Sequence, residues 1–242
     1  MSTKADLLLE KRRYGLDQNI SSFEEQQLET GMPVQKIIGY IEMADVKIDL
    51  RYKVLIPRYE TEELILYVKK MYPKNAKLRI LDLCCGSGFI GLALKKYFVN
   101  SEVILSDISD EAIMQSNLNK KINNLEVKII NCDLFDSIIG KFDVIVSNPP
   151  YLSTNEKLDK SVLNFEPHNA LFTDNNGLYF YQQIIKKADK YLKNEAKIFF
   201  EINPLHLNWW NHQKWKYDIK IINDIANKPR IVEFAYKKPS NN

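Results

Sequence analysis

Residues 80–91 have the sequence ILDLCCGSGFIG. The apolar run at its start predicts a buried strand, Gly86 and Gly88 predict a tight turn, and the apolar residues that follow predict a helix. Such a turn places backbone N–H groups at the carboxyl edge of a doubly wound sheet, where ligands bind. It lacks the lysine of a P-loop. The stretch predicts a cofactor loop, with a plain structural turn as the alternative.

From residue 78 onward, strands alternate with helices. The predicted strands cover 78–83, 102–106, 126–131, 142–147, 196–202, 216–223 and 230–236, and the predicted helices cover 89–98, 109–121, 177–192 and 204–212. Near-continuous apolar strands that alternate with helices indicate a parallel sheet covered on both faces. The short connection between the last two strands favours an antiparallel hairpin. The fold class is therefore α/β, with a seven-stranded sheet.

The chain before this region is polar and short. It predicts helices over 2–13, 22–30 and 33–39, a β-hairpin of 40–43 with 46–50, and a helix over 61–71. Ser22 and Glu25 have the spacing of a capping box for the second helix. We expect a small helical cap and a hairpin rather than an independent domain.

Two further residues fit a nucleoside site. Asp107 ends the second sheet strand about twenty residues beyond the loop, where an acidic residue accepts hydrogen bonds from ribose hydroxyls. The alternative, which is compatible, is that Asp107 or Ser109 caps the next helix. Leu134 follows the third strand, beside a possible adenine, although a core position is the commoner role for such a leucine.

Residues 144–151, VIVSNPPY, predict a buried strand that ends in a rigid corner. Pro149 and Pro150 fix the backbone and remove two N–H donors, which leaves nearby carbonyls free to accept. Asn148 adds a side-chain acceptor, and Tyr151 offers a flat surface for stacking on a planar substrate. Together they predict a site that holds an –NH2 group for methylation. An ordinary rigid turn is the alternative.

Composition limits the other possibilities. Of the 242 residues, 45% are hydrophobic and the formal net charge is +3, so the chain can fill a core and has no charge excess that would indicate nucleic-acid binding. The three cysteines lack the spacing of a disulfide or zinc site, and we expect no bound metal. The sequence shows neither a signal peptide nor a membrane-spanning run, and we predict a cytoplasmic protein without membrane partners.

The chain resembles the HemK/PrmC family of protein-glutamine methyltransferases from about Pro33 to its end. The segments that carry the resemblance are 33–39, 55–62, the loop at 84–88, Asp107, 147–151, 165–171, 176–181, 200–202 and 224–232. The resemblance implies a class I, Rossmann-like methyltransferase fold and methyl transfer from S-adenosyl-L-methionine. The substrate it implies is the side-chain amide of the glutamine in the Gly-Gly-Gln motif of peptide chain release factors.

The resemblance also implies roles for residues. Cofactor contacts fall on Cys84, Cys85, Gly86, Ser87, Gly88, Asp107, Leu134 and Asn148, and the catalytic and substrate-binding residues are Asn148, Pro149, Pro150 and Tyr151. The implied organisation is a helical substrate-docking region at 1–39, a hairpin linker at 40–54 and a methyltransferase domain at 55–242. Two departures are visible. Cys84 replaces the family's first loop glycine, and the region before Pro33 is shorter than the family's helical domain.

Two alternatives have different consequences. A DNA or rRNA amino-methyltransferase would use the same corner on a nucleobase, but a DNA enzyme normally needs a further domain to flip the base. A catalytically inert scaffold that binds a partner would not need the corner or Asp107. We expect a release factor as the protein substrate and no direct contact with nucleic acid.

Overall fold

A computed structural model describes residues 2–237. Its helices are α1 Lys4–Arg13, α2 Ser22–Glu29, α3 Val34–Ile38, α4 Tyr59–Met71, α5 Phe89–Tyr97, α6 Asp110–Ile122, α7 Lys160–Phe165, α8 Tyr179–Ala188 and α9 Leu207–Gln213. Its strands are β1 Tyr40–Met43, β2 Val46–Asp49, β3 Arg79–Leu83, β4 Glu102–Asp107, β5 Lys128–Asn131, β6 Phe142–Ser147, β7 Leu192–Glu201, β8 Tyr217–Asn223 and β9 Pro229–Tyr236. Within the described part, no helix is long and apolar enough to cross a membrane.

Seven strands form one sheet in the order β5-β4-β3-β6-β7-β9-β8. The first five of these strands in spatial order are parallel, and β9 pairs antiparallel with both β7 and β8. The strand order reverses between the neighbours β3 and β6, because β4 and β5 continue on the β3 side and β7 follows on the β6 side. Doubly wound sheets bind ligands at such a switch point. The predicted seven-stranded α/β fold and its final hairpin are confirmed.

The register aligns the carboxyl ends of four strands. Leu83 of β3 pairs with Ser106 of β4 and with Ser147 of β6, and Ser147 in turn pairs with Phe200 of β7. The residues that follow this row are Cys84, Asp107, Asn148 and Glu201. Parallel pairing therefore places four residues that are distant in sequence along one edge of the sheet.

Two hydrophobic clusters cover the two faces of the sheet. One contains apolar residues of α4 and α5, including Leu64 and Leu94, together with Ile48 of the hairpin. The other contains apolar residues of α8 and α9, including Ile184 and Trp210. Burial of both sheet faces explains why the strands are apolar almost throughout rather than alternating.

The β1–β2 hairpin is held against the sheet domain by polar contacts as well. The backbone N–H of Asp49 donates to the side-chain oxygen of Asn119 on α6, and that of Lys47 donates to the side-chain oxygen of Asn123 at the end of this helix, both at 2.9 Å. Helix α1 reaches the same region, where Arg13 donates to the Tyr59 hydroxyl. The proposed division at residues 39 and 54 stays a prediction.

Three local predictions need correction. The capping box of α2 is formed by Ser21 and Glu24, one residue before the predicted pair. The region 148–176, which holds none of the predicted strands and helices, contains α7 and a 3-10 turn at His168–Ala170. The helix expected over 177–192 ends at Ala188, because β7 already begins at Leu192.

Candidate active site

A cleft of about 940 Å³ opens at the carboxyl edge of the sheet. Predicted site residues that line it are Cys84, Cys85, Gly86, Ser87, Asp107, Leu134, Asn148 and Pro150. Gly88, Pro149 and Tyr151 are not part of the lining. The structure therefore brings the predicted cofactor loop, Asp107 and the Asn-Pro-Pro corner to one cleft.

The loop between β3 and α5 is fixed by backbone hydrogen bonds. Cys85 N donates to Ser106 O at 3.1 Å, and Gly88 N donates to Cys85 O at 2.8 Å. Cys84 has φ +57°, a left-handed conformation that is unfavourable for a side chain with a Cβ. Cys84 thus adopts the strained conformation that a glycine would adopt without cost.

Gly88 has a packing role. It has φ +81° at the N-cap of α5, and a Cβ there would lie 2.9 Å from Leu105 Cδ2 and 3.0 Å from Ser116 Oγ. The absence of a side chain lets α5 begin close to β4. The predicted cofactor contact of Gly88 has no support from its position, since the residue lies outside the cleft lining.

Asp107 connects the loop to the second strand. Its Oδ2 accepts from Gly86 N and its Oδ1 from Ser109 N, both at 2.9 Å. Burial raises the pKa of this carboxyl, whereas the backbone donors, Ser109 N first, oppose the rise. Ser109 is the N-cap of α6, so the capping alternative holds for Ser109 while Asp107 lines the cleft.

Leu134 combines both roles that the sequence left open. It is 7% exposed within the second hydrophobic cluster, and it also lines the cleft. Its φ of +44° turns the chain directly after β5. Leu134 therefore gives the cleft an apolar wall of the kind that a planar ring can contact.

Within the Asn-Pro-Pro-Tyr corner, Asn148 and Pro150 line the cleft, whereas the Tyr151 ring packs against the second hydrophobic cluster. The Tyr151 hydroxyl donates to Glu201 Oε1 at 3.0 Å. Stacking of this ring on a substrate stays a prediction. Pro149 is buried, and its carbonyl receives no hydrogen bond from the described residues.

Sequence reasoning assigned no role to three residues that shape the site. Glu166 is 1% exposed and accepts from Ile56 N at 3.0 Å and from Arg58 Nη2 at 2.5 Å. It thereby holds the segment 53–57 over the cleft. Thr61 and Glu201, both buried, contact each other beneath Asn148. All three lie in segments that resemble the family, and this resemblance is the sequence feature that could indicate a role for them.

Asp82 lies directly under the loop and is fully buried. Its Oδ2 accepts from Gly91 N at 2.8 Å, whereas Oδ1 has no hydrogen-bond partner among the described residues. Burial raises the pKa of this carboxyl to about 8. Burial therefore favours the neutral form of this side chain, because one hydrogen bond does not offset the loss of hydration of a charged form.

Comparisons with known proteins agree with this geometry. Residues 64–177 match the methyltransferase small domain. The release factor glutamine methyltransferase of Lactococcus lactis is 40% identical over 190 residues, which cover 77% of this chain and 70% of the relative. That of Borreliella burgdorferi is 32% identical and covers 91% and 82%, respectively. A T. thermophilus 16S rRNA N2 G1207 methyltransferase, solved with AdoMet and guanosine, has a TM-score of 0.61 at 16% identity, covering 82% of this chain and 50% of that one.

We expect the substitution Cys84→Gly to increase the free energy of unfolding by about 1 kcal/mol, because it removes the strain of a left-handed Cβ residue. The adjacent Cys85→Gly is the control. Cys85 is buried and has no positive φ, so we expect Cys85→Gly to lower the free energy of unfolding by about 1–2 kcal/mol. Urea unfolding measures both changes. A loss of stability in Cys84→Gly equal to that of the control would contradict the strain argument.

A second prediction concerns pH. Between about pH 4 and 8, folded Asp82 holds a proton that the unfolded chain releases, so the wild-type free energy of unfolding declines as pH rises through this window. Asp82→Asn cannot titrate. We therefore expect the stability of this variant relative to wild type to increase from pH 5 to pH 8 in urea unfolding. Parallel stability curves for the two proteins would show that Asp82 is ionised at neutral pH.

Proposed function

The chain belongs to the release factor glutamine methyltransferase family, and we propose that it methylates the side-chain amide nitrogen of a glutamine in a peptide chain release factor. The substrate glutamine is the one in the Gly-Gly-Gln motif. The observation that carries the proposal is the single cleft that joins the cofactor loop, Asp107 and Asn148 at one sheet edge. The names of the curated relatives support the same activity.

The cleft fits S-adenosyl-L-methionine by the chemistry of its walls. The Asp107 carboxylate is suited to the two ribose hydroxyls, and Leu134 with Ile108 offers apolar surface to an adenine. The backbone N–H groups of Cys84 and Ser87, which donate to no acceptor among the described residues, are available for the methionine end. When bound, this cofactor supplies an electrophilic methyl group on a sulfonium sulfur.

The corner has to make an amide nitrogen nucleophilic. Amide resonance, whose rotation barrier is about 18–20 kcal/mol, keeps the nitrogen lone pair delocalised. Asn148 Oδ1 and the carbonyl of Pro149 are acceptors for the two amide hydrogens, and acceptors placed out of the amide plane favour a tetrahedral nitrogen. They also stabilise the positive charge that develops as the N–C bond forms and the S–C bond breaks.

Fixed positions of the acceptors contribute the rest of the rate enhancement. Pro149 and Pro150 fix the backbone dihedral angles of the corner, so the acceptors are held in place before the substrate binds. The methylated nitrogen is acidic and loses its proton to solvent after transfer. No general base is therefore required among the side chains of the corner.

We expect Asp107→Asn to weaken binding of S-adenosylhomocysteine about tenfold, because a neutral amide replaces an acceptor-only carboxylate at the ribose hydroxyls. Asp110→Asn is the control, since Asp110 is an exposed acid three residues further on. Isothermal titration calorimetry measures both dissociation constants. Equal affinity of Asp107→Asn and wild type would remove Asp107 from the cofactor site.

The activity itself is tested by transfer of labelled methyl from S-adenosyl-L-methionine to an intact release factor. We expect label on the wild-type factor and none on one whose Gly-Gly-Gln glutamine is replaced, and about a hundredfold lower kcat for Asn148→Ala. The exposed Asn164→Ala is the matched control and should retain activity. Label on duplex DNA or on rRNA, with none on the release factor, would replace this proposal by the nucleic-acid alternative.

A further inference from the structure

Below the cleft, a series of buried side-chain hydrogen bonds ends at Asn148. Asn148 Nδ2 donates to Thr61 Oγ1 at 3.3 Å, and the Thr61 hydroxyl donates to Glu201 Oε2 at 2.7 Å. Thr61 is 4% exposed and Glu201 1% exposed. Thr61 lies in α4, Glu201 ends β7 and Asn148 directly follows β6, so these hydrogen bonds join three parts of the fold under the proposed methylation site.

The chemistry of these groups fixes which one donates and which one accepts in each hydrogen bond. A carboxylate only accepts, so the single hydroxyl hydrogen of Thr61 is directed to Glu201. Toward Asn148, Thr61 can then only accept. The NH2 end of the Asn148 amide must therefore face Thr61, and its Oδ1 must be turned away from Thr61. Without this constraint, the oxygen and nitrogen ends of an asparagine amide can exchange places by a flip.

The same carboxylate also fixes the other end of the corner. Tyr151 donates to Glu201 Oε1, and the backbone carbonyl of Glu201 accepts from the Tyr181 hydroxyl at 2.8 Å. Burial raises the pKa of Glu201, whereas the donors Thr61 and Tyr151 and the charge of Arg230 oppose the rise. Because each oxygen of Glu201 accepts from one hydroxyl, the hydroxyl hydrogens of Thr61 and Tyr151 both point to the carboxylate.

We propose that Thr61 and Glu201 are positioning residues that lock the Asn148 amide with Oδ1 toward the substrate nitrogen. This assignment rests on the proposed function, because it matters for catalysis only if Asn148 accepts a hydrogen bond from the reacting amide. A flipped Asn148 would present N–H donors to a substrate –NH2 group. The hydrogen assigned to Asn148 Oδ1 would then have no acceptor, and only the Pro149 carbonyl would remain. The lock is a property of the folded protein and exists without substrate.

The test uses Thr61→Val, which keeps the shape of the side chain and removes the hydroxyl, and Thr61→Ser, which keeps the hydroxyl. In the release factor assay, we expect Thr61→Val to lower kcat at least tenfold and Thr61→Ser to remain within threefold of wild type. Binding of S-adenosylhomocysteine should stay within threefold in both variants. Wild-type kcat in Thr61→Val, or an equal loss in both variants, would overturn the proposal.

A second measurement does not depend on activity. In protein labelled with ¹⁵N-asparagine, the Asn148 side-chain NH2 signals are the pair absent from Asn148→Ala. We expect their hydrogen exchange with water to be at least tenfold slower in wild type and Thr61→Ser than in Thr61→Val. Exchange that is equally fast in all three proteins would show that the amide is not held, whatever the kinetics.

The two measurements separate the possible failures. If the wild-type protein transfers no methyl to glutamine while its Asn148 signals are protected as expected, the proposed function fails and the positioning stands. If Thr61→Val does not fold, wild type alone decides. Its Asn148 signals must then exchange at least tenfold more slowly than those of the exposed Asn164, and equal exchange of the two would overturn the proposal.

Discussion

The parallel register of the sheet is the constraint on which the site depends. Once β3, β4, β6 and β7 pair in register, the residues that follow their last common row lie along one edge, and these residues are Cys84, Asp107, Asn148 and Glu201. A shift of one strand by one residue would turn every side chain of that strand to the opposite face. Burial of both faces therefore fixes the position of the functional residues as well as the core.

The sequence was most informative where a local pattern carries the chemistry. The loop at 84–88, the acid at the end of β4 and the Asn-Pro-Pro corner were predicted because each combines a strand end with residues of special backbone or hydrogen-bonding character. The contacts of Glu201 with Thr61 and of Glu166 with Ile56 join residues 140 and 110 positions apart. Such pairs have no local signature, and only the tertiary fold brings them together. Tyr151 shows the same limit, because no local pattern indicates that its hydroxyl donates to Glu201, fifty residues away.

Three buried carboxyl groups around the cleft differ in what their neighbours donate. Asp82 receives one backbone N–H and leaves an oxygen without a partner, and its pKa is raised to about 8. Glu166 receives a backbone N–H and an arginine, and Glu201 receives two hydroxyls. Because an unpaired buried charge is costly, each hydrogen-bond donor favours the ionised, acceptor-only form of a buried carboxyl. Asp82 is suited to hold the loop as a neutral group, whereas Glu201 is suited to orient hydroxyl donors.

The corner alone does not distinguish a glutamine amide from a nucleobase amine, since both present a planar –NH2 group to the same acceptors. Discrimination must therefore come from what surrounds the corner. In this chain, the segment 53–57 and the turn at His168–Ala170 border the cleft, and Glu166 joins the two through Ile56 and Arg58. A hydrogen-bonded border of this kind restricts the approach to Asn148. Selectivity for a glutamine side chain over a nucleobase would then depend on this border, which Glu166 holds together through Ile56 and Arg58.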